Sequence, residues 1–230
     1  LDILFRAAEG EKGLRSALDD LFKKASQAIK DGYSIIVLSD RGVNADKAPI
    51  PSLLATAAVH HHLIREGTRG QAGIVVETGD AREVHHFALL VGFGAGAINP
   101  YVAFETVTDL FAQKLLPENV DEKTAIKNFI KAGDKGLLKI FSKMGISTLQ
   151  SYQGAQIFEA VGLNSEVIEK YFTGTTSRIG GAGIDIIARE IGMLHDKAYP
   201  RTDAAGKLLD VGGAFKWMRG GEFHAINPET

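Results

Sequence analysis

The feature that most constrains this chain is a rhythm repeated between Tyr33 and Tyr101. The apolar run Tyr33-Ser34-Ile35-Ile36-Val37-Leu38 leads into the polar loop Ser39-Asp40-Arg41-Gly42, and beyond Pro51 a helical stretch runs from Ser52 to Arg65. Gly73-Ile74-Val75-Val76-Glu77 opens a second round, through Thr78-Gly79-Asp80 to a helix over Arg82 to Val91 and the segment Ala95 to Tyr101. Strand, polar loop and helix in repeated order predict an α/β fold built of parallel β/α units. The first run is too continuously apolar for a half-wet strand and fits one covered on both faces.

In such folds the loops at the carboxyl ends of strands share one rim, where ligands usually bind. That rim holds Ser39, Asp40 and Arg41, then Glu77, Thr78 and Asp80, then Asn99 and Tyr101. An Asp beside an Arg at a strand end either makes an internal ion pair that shapes the loop or grips a ligand, and Gly42 permits the tight turn. His60, His61 and His62 invite a metal reading, but consecutive helical residues point about 100° apart and do not converge on one ion. None of the three has a His at i+4, and His85 and His86 fail the same way. No metal site is expected; the histidines read as helix–strand packing or as a contact to a neighbouring domain.

Around this centre the chain supplies support. Leu14, Leu18, Leu21, Phe22, Ala25 and Ile29 give an amphipathic helix over Gly13 to Lys30. Gly92-Phe93-Gly94-Ala95-Gly96 has dinucleotide-loop spacing but follows a helix and opens a strand, the reverse of what that fingerprint needs, so it reads as a helix cap with close packing. Helices are expected over Val102 to Lys114 and Asp121 to Met144, the latter kinked or split at Gly133 and Gly136. In Gly145 to Leu163 a short strand followed by Ser151, Tyr152 and Gly154 at a helix start suits a phosphate held by backbone amides, or else a rim loop with no ligand. A short helix over Asn164 to Tyr171, a hydroxyl-rich loop over Thr173 to Gly183 and a helix over Ile184 to His195 follow. Past Pro200 the composition turns to Gly and polar residues, and Gly212 to His224 reads as a hairpin or extended linker, giving expected domains of 1–200 and 201–230.

Composition removes several function classes. With 26 basic and 28 acidic residues the chain offers no electrostatic footprint for nucleic acid. It has no apolar run of the ~18 residues a membrane helix needs, and no signal peptide at Leu1-Asp2-Ile3, so a cytoplasmic protein is expected. Cysteine is absent, which excludes a thiolate nucleophile, disulfides and cysteine-held iron–sulfur or zinc sites within these residues. The start without Met suggests an excised or processed piece.

Several ordered blocks carry a resemblance. Leu38-Ser39-Asp40-Arg41, Ile50-Pro51-Ser52-Leu53-Leu54-Ala55, Ala58-Val59-His60-His61-His62-Leu63-Ile64-Arg65, Val76-Glu77-Thr78-Gly79, Arg82-Glu83-Val84-His85-His86-Phe87 and Ala97-Ile98-Asn99-Pro100-Tyr101 are similar to the central domain of the large subunit of glutamate synthase. The block from Gly145 to Leu163, Ser177-Arg178-Ile179-Gly180-Gly181, and Arg219-Gly220-Gly221-Glu222-Phe223-His224 with Asn227-Pro228-Glu229-Thr230 resemble the passage from that domain into the FMN domain.

The resemblance implies a place in an enzyme that takes ammonia from glutamine, passes it through a tunnel and reduces the imine formed with 2-oxoglutarate to a second glutamate. It implies FMN and an iron–sulfur cluster in the full-length enzyme, with none in this segment. The implied partners are the amidotransferase and FMN domains, on the same or a separate chain, and a reductase subunit or ferredoxin; the donor is left open. It implies a partial or degenerate TIM-like barrel, since a full one typically takes about 250 residues. Lacking the nucleophilic cysteine, the chain is expected to carry no catalytic residue and to act as spacer and tunnel wall, with Ser39, Asp40, Arg41, Glu77, Thr78, Asn99 and Tyr101 as rim or tunnel residues. The rival expectation is an independent FMN- or phosphate-binding β/α enzyme using Asp40, Arg41, Glu77, Asp80, Ser151 and Tyr152.

Overall fold

The computed structural model describes residues 1–200, 212–214 and 217–230, so expectations for 201–211 and 215–216 lie outside the described residues. The chain divides into two compact units, Leu1–His195 and Asp196–Thr230. In chain order come β1 (Leu4–Arg6), α1 (Gly10–Lys30), β2 (Ile35–Ser39), β3 (Lys47–Pro49), α2 (Ser52–Arg65), β4 (Gly73–Glu77), α3 (Val84–Gly92) and β5 (Ala95–Asn99). There follow α4 (Tyr101–Ala112), α5 (Glu122–Lys143), α6 (Leu149–Tyr152), β6 (Glu159–Leu163), α7 (Ser165–Tyr171), β7 (Thr176–Ala182) and α8 (Ile184–Ala198).

The central sheet is parallel, ordered β2-β4-β5, with Ile36 opposite Ile74 and Val76 opposite Ile98. Residues 1–3 run parallel beside β2, where the Ser39 amide donates to the Leu1 carbonyl and the Ile3 amide to the Ser39 carbonyl. A short antiparallel pair, β1-β3, and a parallel pair, β6-β7, complete the strands. The fold is therefore α/β with parallel sheets, and among the described residues no strand set closes into a barrel.

One face of the central sheet builds the core. Ile36, Leu38, Ile74, Val76 and Ala95 pack beneath Leu14, Leu18, Leu21 and Ala25 of α1 and Leu54, Ala58 and Leu63 of α2, all buried. Val167 and Tyr171 of α7 and Ile184 and Ala188 of α8 join the same cluster. The other face corrects the sequence reading: Ile35 is 62% exposed and Val37 40%, so β2 is covered on one side only. Helices pack against Ile36 and Leu38, and the alternation of a strand turns Ile35 and Val37 the opposite way.

Three further expectations change. α5 is one unbroken helix of 22 residues, because Gly133 and Gly136 serve closeness rather than bending. A Cβ at Gly133 would sit 3.4 Å from the Phe87 ring, and one at Gly136 would overlap the side chain of Val84, so the two glycines let α3 approach. The expected strand near Gly145 is absent; one helical turn, α6, comes first and the strand is β6, further on. The hydroxyl-rich loop is strand β7, drawn out by pairing with β6 at Glu159↔Thr176 and Val161↔Ile179. In the second unit the described backbone turns on itself, with the Glu222 amide donating to the Gly212 carbonyl at 2.9 Å, and no strand occurs among its described residues.

Candidate functional site

The parallel register brings the ends of β2, β4 and β5 level, with Ser39 opposite Glu77 and Glu77 opposite Asn99. This places the expected rim residues in one network. Glu77 accepts from the Ser39 hydroxyl at 2.6 Å, from Arg41 Nε at 2.8 Å and from Asn99 Nδ2 at 3.2 Å. Hydrogen bonds from Ser39 and then Arg41 hold its carboxyl below the usual carboxylate range, so it stays ionised.

Asp40 and Arg41 do not pair with each other. Asp40 is 3% exposed and accepts from the Thr78 hydroxyl at 2.6 Å and the Gly79 amide at 2.9 Å. Arg41 lies over the Tyr101 ring, 3.9 Å from its centroid, and reaches Glu105 at 3.4 Å as well as Glu77. The Tyr101 phenol is pushed well above its ordinary value, first by burial and then by its hydrogen bond to Asp40, so it remains a neutral donor. Asp80 has a different partner, since its Oδ2 accepts from the Ser52 amide at 3.0 Å and caps α2 from the neighbouring loop. Sequence reasoning missed Glu105; its position one helical turn after Tyr101 was the available signal.

The arrangement is a polar platform in which one guanidinium faces the carboxylates of Glu77 and Glu105 while neutral donors hold the Asp40 carboxylate. Glu77 is ionised, Asp40 is buried with its donors, the Tyr101 phenol is protonated, and the Arg41 guanidinium is braced by two acids and a ring.

The phosphate candidates are placed differently. Tyr152 is fully buried and its hydroxyl donates to the Ala88 carbonyl at 3.1 Å. The Gly154 amide donates to the Gly92 carbonyl at 2.9 Å, and the exposed Ser151 lies in the one-turn helix α6, accepting from the Thr148 hydroxyl. These groups do not fit an FMN phosphate cradle, because the donors it would need are engaged with backbone carbonyls or belong to a single turn.

His60 and His62 are packing groups. His60 Nδ1 accepts from Arg69 Nε at 2.9 Å, while the same guanidinium donates to the carbonyls of Ala72 and Gly94. Burial, with Arg69 beside it, pushes the His60 imidazole down to about 4. A Cβ at Gly94 would fall on the His60 ring, which explains a glycine at φ 110° there. His62 stacks on Phe22 at 4.6 Å and meets the Ser26 hydroxyl at 2.8 Å. Among the described residues no three His, Asp or Glu side chains gather as a metal site, and no helix is long and apolar enough to cross a membrane.

Comparison with known proteins adds a family. The glutamate synthase central domain family matches residues 1–164. The glutamate synthase [NADPH] large chain of Bacillus subtilis is 47% identical over 230 residues, covering 100% of this chain and 14% of that protein. The glutamate synthase [NADH] of Schizosaccharomyces pombe is 46% identical, covering 100% of this chain and 11% of the relative. The ferredoxin-dependent glutamate synthase of Pyropia yezoensis is 46% identical, covering 100% of this chain and 15% of the relative.

Proposed function

The chain belongs to the glutamate synthase central domain family, and we propose that it serves a glutamate synthase as the spacer joining the glutaminase and FMN parts and walling the ammonia path, with no turnover of its own. It spans 11–15% of the length of the relatives compared, which fits a domain of a larger enzyme. The observation that carries the reading is the rim network: Glu77 is held ionised by Ser39 and Arg41, the Tyr101 phenol is held protonated, and the Asp40 carboxylate is engaged by Thr78 and Gly79. A wall guiding ammonia must not protonate it to ammonium, and a rim whose Glu77 is ionised and whose Tyr101 phenol keeps its proton meets that need. We read the parallel run of residues 1–3, β2, β4 and β5 as part of a degenerate TIM-like barrel, and the whole enzyme as cytoplasmic. Donor choice resides outside this segment, because relatives named for NADPH, NADH and ferredoxin are 47%, 46% and 46% identical to it. In the whole enzyme FMN supplies hydride chemistry and an iron–sulfur cluster relays electrons; with no cysteine, this chain provides no thiolate ligand to such a cluster.

The test is a ratio. In a full-length large chain carrying this segment, Asp40→Asn loosens the rim, and glutamine hydrolysis is expected to exceed glutamate formation, with free ammonia released. Both rates falling together at an unchanged ratio would reject the wall. Titrating the 230-residue chain with FMN checks the rival enzyme: saturating ligand at ~100 times Kd adds about 2.7 kcal/mol of stability, and none is expected.

A further inference from the structure

Helix α5 carries a lysine at every fourth position, at Lys123, Lys127, Lys131, Lys135, Lys139 and Lys143, against only Glu122 and Asp134 as acids. In a chain of net charge -2 this is a local segregation of charge. Among the described residues Lys127, Lys131, Lys135 and Lys139 are held in no ion pair. Each step of four residues overshoots a turn by about 40°, so the stripe winds along the helix beside Ile130 and Leu138, which are 46% and 65% exposed.

Those two residues mark the mouth of a groove of about 520 Å³ between α3, β5, α4 and α5. Phe87, Val91, Ile98, Phe104, Phe129 and Leu137 line it, and Asp134 is the one acidic or basic residue in its lining. We propose that the groove receives an acidic amphipathic helix of a protein partner, with apolar residues spaced i, i+3, i+4 in the groove and carboxylates against Lys127, Lys131 and Lys135. Charge complementarity selects this occupant, and a concave apolar floor bordered by cations is the shape that takes a helix face. A nucleic acid would leave the exposed Ile130 and Leu138 against a charged backbone, with no apolar face to cover them. A bilayer surface does not enter a concave groove.

The probe is a fluorescein-labelled, lactam-stapled helix of about five turns with Glu on one face and Leu on the other, read by fluorescence anisotropy against the 230-residue chain. Saturable, salt-sensitive binding is expected, weakened about tenfold or more, or ~1.4 kcal/mol, by Lys131→Glu with Lys135→Glu and separately by Leu138→Glu. All three positions are exposed, so melting curves of the variants should match the parent. No saturable binding, equal binding of a scrambled peptide, or unchanged affinity in the variants would overturn the proposal. So would α5-dependent association with phosphatidylserine vesicles or duplex DNA in preference to the peptide.

Discussion

At the scale of single residues, environment decides what each ionisable group does. Arg69 donates to His60, so a proton on that imidazole would face a cation inside the core. The ring is therefore neutral when folded, at about 4, whereas unfolded it titrates near 6.5. Below 6.5 the unfolded chain binds the proton and the folded chain does not, so this contribution is present above that value and lost as pH falls towards 4. His61 and His62 are lowered by burial too and act in the same direction. Urea unfolding should show stability lower by roughly 2 kcal/mol at pH 5 than at pH 7, with the slope reduced in His60→Gln. Glu77, also lowered, contributes only further down, near carboxylate values, so the two windows separate. The rim residues were legible in the sequence because polar residues at three strand ends must share one edge. Their pairings were not: Asp40 and Arg41 are neighbours in the chain, yet a strand end turns them to different partners, Thr78 and Glu77.

At the scale of elements, the long helices and the central strands followed from periodicity, and the errors fell where a partner overrides it. Gly133 and Gly136 signal a break under helix propensity alone, but α5 runs straight through because they face α3. β7 contains Gly180 and Gly181, is exposed along most of its length and carries no apolar rhythm; only its distant partner β6 makes it a strand. The glycine reading gives a reversal of sign. On an exposed helix Gly→Ala stabilises by about 1 kcal/mol, whereas Gly136→Ala would drive a methyl into Val84 and is expected to cost about 1–3 kcal/mol. Thermal melting of this variant, alongside Ala132→Gly on the exposed side of the same helix, separates packing from propensity. Both losing stability fits close packing, while a gain at Gly136 would mean that α5 stands off from α3.

At the scale of the whole molecule, the two faces of the central sheet obey different demands. Leu38 and Val37 are adjacent in β2, the first fully buried under helices and the second 40% exposed beside Ile35 and the half-buried Val75. The buried core of the 230-residue chain is built on the first face. Leu38→Ala should cost about 2–5 kcal/mol, while Val37→Lys should stay within the roughly 1 kcal/mol span of strand propensity. An apolar sheet face that contributes so little to its own chain's folding has a use if something packs on it, and relatives several times longer have sequence to supply that. In a full-length large chain carrying this segment, Val37→Lys should therefore lower glutamate formation or solubility far more than it lowers the stability of the 230-residue chain. Equal, small effects in both settings would mean that the face stays open in the enzyme. The role of this domain would then rest on its rim alone.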